Sequence, residues 1–272
     1  MADERERWAL ILGASSGFGE ATAIALAEDG YNVAGVHLDR RAGMARVDEI
    51  RARIAGMGRT ALYFNMNAAD DDQRRGMLHA LRERFDESVA QGRRPYVRVL
   101  LHSLAFGTLK PFLATDPAGA ISRRNMEMTL DVMAHSLVYW AQDLVRGAFL
   151  EHGSRIFAMT SEGSTRVVAS YGAVSAAKSA LESHCRQLAL ELARLGTGIT
   201  CNAVRAGVTL TPALMQIPEK DDLIDHAMKR NPSGRMTTTN DVARAIVALA
   251  RDGTEWMTGN VLGIDGGEFV TG

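Results

Sequence analysis

Cysteine is scarce in this chain of 272 residues: Cys185 and Cys201 are the only two, and they fall in different predicted elements. That argues against a disulfide framework and suits a reducing compartment, with both as structural thiols. No apolar run is long enough to cross a membrane. The opening "MADERERW" lacks an apolar segment of the secretory kind, so no signal peptide is expected there. An excess of one charge is missing as well. The net charge of −1 gives no reason to expect nucleic acid or another polyanion as a partner. Arg40-Arg41, Arg93-Arg94 and Arg123-Arg124 read first as solvated faces. No metal is expected. No low-complexity linker and no internal repeat interrupts the chain. The expectation is a soluble cytoplasmic protein.

What is present is ordinary globular composition, 46% hydrophobic and 23% charged. A chain of this length can bury a full core without staples. "WALIL" is a short apolar run, followed by the glycine-rich "GASSGFG" and by "EATAIALAEDG" with helical spacing. "YNVAGVHL" is a second short run. Strand, turn, helix, strand is the signature of a parallel sheet. "RTALYFNM", "YVRVLLHSL", "SRIFAMTS", "GITCNAV" and "NVLGIDGG" continue the series as strands three to seven. Helices are predicted over about 70–90, 124–150 and 171–195. The expected fold is α/β, a single-domain doubly wound Rossmann-type parallel sheet of seven strands with helices on both faces, spanning 1–272.

Two stretches lie outside this alternation. "FDESVAQGRRPY" reads as a polar lead into the fourth strand. A segment at about 208–235, rich in Met, Leu and Pro, leaves the carboxyl end of the sixth strand, where doubly wound sheets bind ligands. It reads equally as a substrate-covering loop or as a packed surface helix pair.

Gly13, Gly17 and Gly19 follow a strand and open a helix. Such a turn lets backbone N–H groups approach a diphosphate, and the helix N-terminus favours its charge. Ser15 and Ser16 add hydroxyl donors. Dinucleotide choice is read after the second strand, where an acid accepts the ribose 2′-OH and basic groups hold a 2′-phosphate. The sequence there is "VHLDRR", with His37, Asp39, Arg40 and Arg41. The arginines favour NADP(H). Asp39 placed on the ribose would instead suit NAD(H).

Far downstream, "YGAVSAAK" sets Tyr171 seven residues before Lys178, about 10.5 Å of helical rise with little angular drift. Both can face one cleft. With the spacing G-x-x-x-G-x-G, "NAVRAGV" and "GIDGG", the chain resembles the short-chain dehydrogenase/reductase family. The Tyr-x6-Lys spacing resembles its divergent enoyl-acyl-carrier-protein reductase branch, where most of the family has Tyr-x-x-x-Lys. "LHSLAFG" after the fourth strand resembles the same branch, and Met133 stands where an asparagine often completes a proton relay. Ser161 occupies the usual family serine position, and "NAVRAGVTLTPAL" with "PSGRM" is closest to the NADPH-dependent Bacillus type. Arg205 stands where a small residue is usual.

The resemblance implies that Tyr171 is the acid, that Lys178 holds the nicotinamide ribose and lowers the Tyr171 pKa, and that Ser161 polarises the substrate carbonyl. It implies cofactor contacts from Phe18 and the glycine turn, Asn67 and Ala68, Ser103, Leu104 and Ala105, and Val208, Thr209 and Thr211. It also implies a homotetramer and a small-molecule, acyl-carrier-protein-linked or CoA-linked substrate. His102 and His135 read as packing and hydrogen-bonding residues, and Asp265 as a turn acid. Three functions stay open: an enoyl-thioester reductase, a carbonyl reductase or alcohol dehydrogenase, and a dinucleotide-binding sensor without catalysis.

Overall fold

The computed structural model describes residues 5–218 and 220–271. Its seven strands are β1 (Arg5–Leu12), β2 (Asn32–His37), β3 (Ala61–Asn65), β4 (Arg94–His102), β5 (Arg155–Thr160), β6 (Thr200–Ala206) and β7 (Val261–Ile264). They form one parallel sheet in the order β3-β2-β1-β4-β5-β6-β7. Each central strand is buried on both faces, which is why it reads as a continuous apolar run. In β1, Trp8, Leu10 and Leu12 join one apolar layer and Ala9 and Ile11 the other.

The helices are α1 (Gly17–Glu28), α2 (Met44–Gly56), α3 (Asp71–Ala90), α4 (Arg123–Leu130), α5 (Ser136–Arg146), α6 (Gly172–Arg194), α7 (Lys220–Arg230) and α8 (Thr239–Ala250). The first layer packs beneath α3, α5 and α6, through residues such as Phe85, Trp140 and Leu181. The second packs beneath α1, α2 and α8, through Leu26, Ile50 and Ile246.

Three sequence expectations change. "FDESVAQGRRPY" is no separate lead: α3 runs to Ala90 and β4 begins at Arg94. Phe85 is buried in the core, so the polar residues after it are the solvent face of the last helical turn. The helix expected over 124–150 is two helices joined by a π-helical turn, Asp131–His135, and it stops at Arg146. Helix α2 has no counterpart in the sequence reading. In segment 208–235 the structure has a 3₁₀ turn, Leu214–Gln216, and then α7.

In chain order the strands run outward from β1 to β3 and then cross back to β4. The order therefore reverses between β1 and β4, and the crevice beyond their carboxyl ends is where such sheets take ligands.

Candidate active site

The glycine turn is built for close approach. Gly13 has φ +90, and a Cβ there would lie 2.4 Å from the Ser103 carbonyl oxygen. A Cβ on Gly19 would lie 1.9 Å from the Gly13 carbonyl oxygen. The turn thus folds β1, the start of α1 and the end of β4 onto one another, and Ser103 donates its N–H to Leu12 at 2.8 Å. Ser16 caps α1 in extended conformation with no side-chain cap bond. Ser16 is exposed, and the first N–H groups of α1 make up the helix's positive end. Thr211 joins them, because its Cγ2 lies 3.5 Å from a Cβ placed on Gly17. This backbone cradle fits a dinucleotide diphosphate.

The second strand ends beside it. Met66 donates its N–H to the His37 carbonyl at 2.7 Å, which brings the residues after β3 next to those after β2. Asn67 is fixed by Gln73 and Ala69, and the buried Ala68 accepts from the Trp140 indole N–H at 2.8 Å. His37 Nδ1 lies 2.9 Å from an Asp39 carboxylate oxygen. Arg40 and Arg41 are exposed and belong to no ion pair among the described residues.

At the other end stands the Tyr171 and Lys178 pair. Tyr171 is the residue just before α6, and Ser170 in front of it is held at φ 57, a sparsely populated conformation for a non-glycine residue. That turn aims the phenol ring across Gly163, where a Cβ would lie 2.7 Å from the ring and 3.3 Å from Ser161 Oγ. Ser161 Oγ accepts from the Gly163 N–H at 3.0 Å and is itself hydrogen-bonded to the Tyr171 phenol. Burial raises the Tyr171 pKa above its ordinary value, and the interaction with Ser161 only partly opposes this.

Lys178 departs from expectation. Its ammonium donates to the carbonyls of Met159 at 2.7 Å and Leu104 at 3.3 Å, between the ends of β5 and β4. The phenol's pKa is raised by burial in this arrangement, where the pair was expected to lower it. Burial instead pulls Lys178 itself down to about 8, with Cys185 and Glu182 opposing the shift. An unfolded chain keeps this proton to about 10.4. Between pH 8 and 10.5 it therefore binds more protons than the folded one, and stability rises with pH through that window. A Lys178→Met variant should lose this rise, ~2–3 kcal/mol relative to wild type. Denaturant titrations of both proteins at pH 8 and 10.5 check it.

His102 is a packing residue, as expected. It donates through Nε2 to Ser136 Oγ at 2.8 Å, because the Ser136 hydroxyl already donates to the Val132 carbonyl. Burial pushes its pKa down to about 3, so it stays neutral. His135 pairs with His184 at 3.0 Å, and Asp265 accepts from the Gly267 N–H in a turn. Met133 is buried in the π-turn, and a Cβ on Gly107 would lie 2.7 Å from its sulfur. Arg205 has a place as well: its guanidinium lies 3.5 Å over the Phe269 ring.

Residues the sequence reading passed over complete the frame. The buried Glu268 carboxylate accepts from the Val208 N–H, 3.3 Å from each oxygen. Arg230, at the end of α7, binds Glu162 at 3.1 Å and the Glu268 carbonyl at 2.9 Å. Segment 208–235 is therefore tethered at its far end to the residue after Ser161. Phe106, Phe112, Leu113, Val167, Leu210 and Met215 are exposed on the loops after β4, β5 and β6. Phe112 rests on Gly172, where a Cβ would lie 2.5 Å from its ring. Large apolar residues concentrated in these loops were the signal available in the sequence.

A family model described as enoyl-(acyl carrier protein) reductase matches residues 13–268. A chloroplastic NADPH-dependent aldehyde reductase-like protein of Arabidopsis thaliana is 28% identical over 267 residues, covering 96% of this chain and 93% of the relative. The NADH-dependent enoyl-acyl-carrier-protein reductase of Aquifex aeolicus is 31% identical over 176 residues, covering 64% of this chain and 63% of the relative. The crystal structure of an NADH enoyl-acyl-carrier-protein reductase from Aquifex aeolicus superimposes with a TM-score of 0.82 at 25% identity, covering 98% of each chain. With Tyr171 and Lys178 at one end of the crevice and the glycine turn at the other, the chain belongs to the enoyl-acyl-carrier-protein reductase branch of the short-chain dehydrogenase/reductase family and is an NAD(P)H-dependent oxidoreductase.

Proposed function

We propose that the protein reduces the carbon–carbon double bond of 2-enoyl thioesters. The observation that carries this reading is the Tyr171 phenol set over Gly163, with the Phe112 ring on the neighbouring Gly172. The glycine turn from Gly13 to Gly19 would hold the dinucleotide, which would supply the hydride. Tyr171 donates a hydrogen bond and then a proton to the thioester oxygen as it gains enolate charge. Ser161, whose hydroxyl is hydrogen-bonded to the Tyr171 phenol, is the second donor. Lys178, now on the Met159 and Leu104 carbonyls, would hold the nicotinamide ribose. The buried Met133 supports the enoyl reading, since no polar side chain continues a relay at that point.

The preferred dinucleotide in this reading is NADPH, with Arg40 and Arg41 on the 2′-phosphate. Segment 208–235 covers the acyl chain, which is carried on acyl carrier protein or CoA. Assembly as a homotetramer and a cytoplasmic location belong to the same reading, and no described helix is long and apolar enough to cross a membrane.

A carbonyl reductase is the second reading, favoured by Ser161 beside the phenol. Crotonyl and acetoacetyl thioesters separate the two. The enoyl substrate is expected to give a kcat/KM at least ~10-fold higher, the scale of discrimination a pocket contact provides. Preference for the 3-oxo substrate would move the protein to the carbonyl reading with the same residues in the same roles.

A further inference from the structure

We propose that His37 sets the dinucleotide preference by withdrawing the Asp39 carboxylate from the ribose of the bound nucleotide. The inference rests on the nucleotide site read above. In doubly wound sheets an acid after the second strand accepts the ribose 2′-OH, and the same charge repels a 2′-phosphate. Asp39 is the acid available here, and the structure has already engaged it.

His37 is the last residue of β2, and its side chain is 2% exposed. Its Nδ1 lies 2.9 Å from Asp39 Oδ2, and since a carboxylate only accepts, Nδ1 carries the proton. Asp39 Oδ1 packs on Gly43, where a Cβ would lie 2.7 Å away. The backbone is pinned as well. The Asp39 N–H donates to Asn65 Oδ1 at 3.0 Å, and Asn65 Nδ2 donates back to the Asp39 carbonyl at 2.9 Å. Asp39 is thus held by His37 through Oδ2 and lies beside Gly43 through Oδ1, with 26% of its side chain exposed, whereas the next two residues, Arg40 and Arg41, remain exposed and unpaired among the described residues. The loop presents two cations outward and turns its one anion inward. The buried imidazole is the donor that holds that anion, so it selects for a phosphate without touching it.

The test uses calorimetric titration of the full chain with NADPH and with NADH. The wild type binds NADPH more tightly. His37→Ala frees Asp39 and is expected to weaken NADPH by ~10-fold, with NADH unchanged or tighter, because a carboxylate now faces the phosphate. His37→Asn retains a donor near the Nδ1 position and keeps the wild-type ratio. Asp39→Ala alone leaves NADPH affinity within ~2-fold, but added to His37→Ala it restores NADPH binding, a coupling that a merely structural role of His37 does not produce. Equal loss of both nucleotides in His37→Ala, or no rescue by Asp39→Ala, overturns the proposal. If His37→Ala does not fold, the comparison of His37→Asn with His37→Leu takes its place, and an unchanged nucleotide ratio in His37→Leu overturns it equally. An Arg40→Ala/Arg41→Ala variant tests the underlying site. If NADPH weakens there but the ratio ignores His37, the site stands and this inference fails. If NADPH is unaffected there, or the wild type prefers NADH, the reading of the phosphate site fails first and takes the inference with it.

Discussion

Tyr171→Phe is expected to lower turnover of the enoyl thioester by ~10²-fold or more, the scale for a lost general acid, while NAD(P)H affinity holds. The substitution removes one oxygen. The ring keeps its seat on Gly163 and its contacts with the apolar layer beneath α6. Lys178 is held by two backbone carbonyls rather than by the phenol, so it does not lose a partner. The lost activity is therefore chemical and not a matter of folding. Steady-state kinetics beside a cofactor titration separate the two. Near wild-type turnover with intact cofactor binding would remove Tyr171 as the acid. Ser161→Ala should cost less, since the phenol still meets the oxygen.

Gly19→Ala is expected to be the most damaging single-methyl change in the chain. The new Cβ would sit 1.9 Å from the Gly13 carbonyl oxygen and 2.8 Å from its carbon. Both are backbone atoms, so no rotamer relieves the overlap, and α1 must move away from the turn. Overpacking of this kind costs about 3 kcal/mol or more. For a domain of this size that lowers the melting temperature by ~6–12 °C. It also opens the diphosphate cradle, so NAD(P)H should bind at least ~10-fold more weakly. Gly76→Ala is the matched control: it lies in the exposed middle of α3 with nothing within 4 Å of the new atom. There the same change should stabilise by ~0.5–1 kcal/mol. A melting curve of Gly19→Ala that overlays the wild type would show that the turn is not as tight as described.

Much of this architecture was legible in the residue order, for an identifiable reason. Strands buried on both faces have to be apolar throughout, so β1, β2, β4, β5 and β6 stood out, whereas the edge strands β3 and β7 are only partly buried and were read from the alternation around them. The glycines of the turn between β1 and α1 stood out by their spacing. Helix α2 escaped because only Val47, Ile50 and Ile54 of its thirteen residues are buried. The end of α3 looked like a loop because the residues after Phe85 are mostly polar. The interruption at Asp131–His135 carries no proline or glycine to announce it. For the site, Tyr171, Lys178 and Ser161 could be picked out by spacing, but the orientation of Lys178 could not, since two carbonyls from distant strands decide it. Long-range pairings were the least readable. Arg230 meets Glu162 across 68 residues, and Arg205 finds Phe269 only once the chain folds back over β6.

That last return has a consequence for biosynthesis. A ribosome makes the chain from the glycine turn toward Glu268, and folding can begin before synthesis ends. β1 must wait for β4, some ninety residues later, before the sheet has a centre. The Val208 N–H waits sixty residues for the Glu268 carboxylate. Arg230 waits for the Glu268 carbonyl, and its own carbonyl for the Thr271 hydroxyl. A nascent chain stalled short of residue 268 thus carries the glycine turn, Ser161, Tyr171 and Lys178, yet lacks the acceptors that pin the segment beyond β6. The segment after β6 is therefore pinned only once the last residues of the chain have been made.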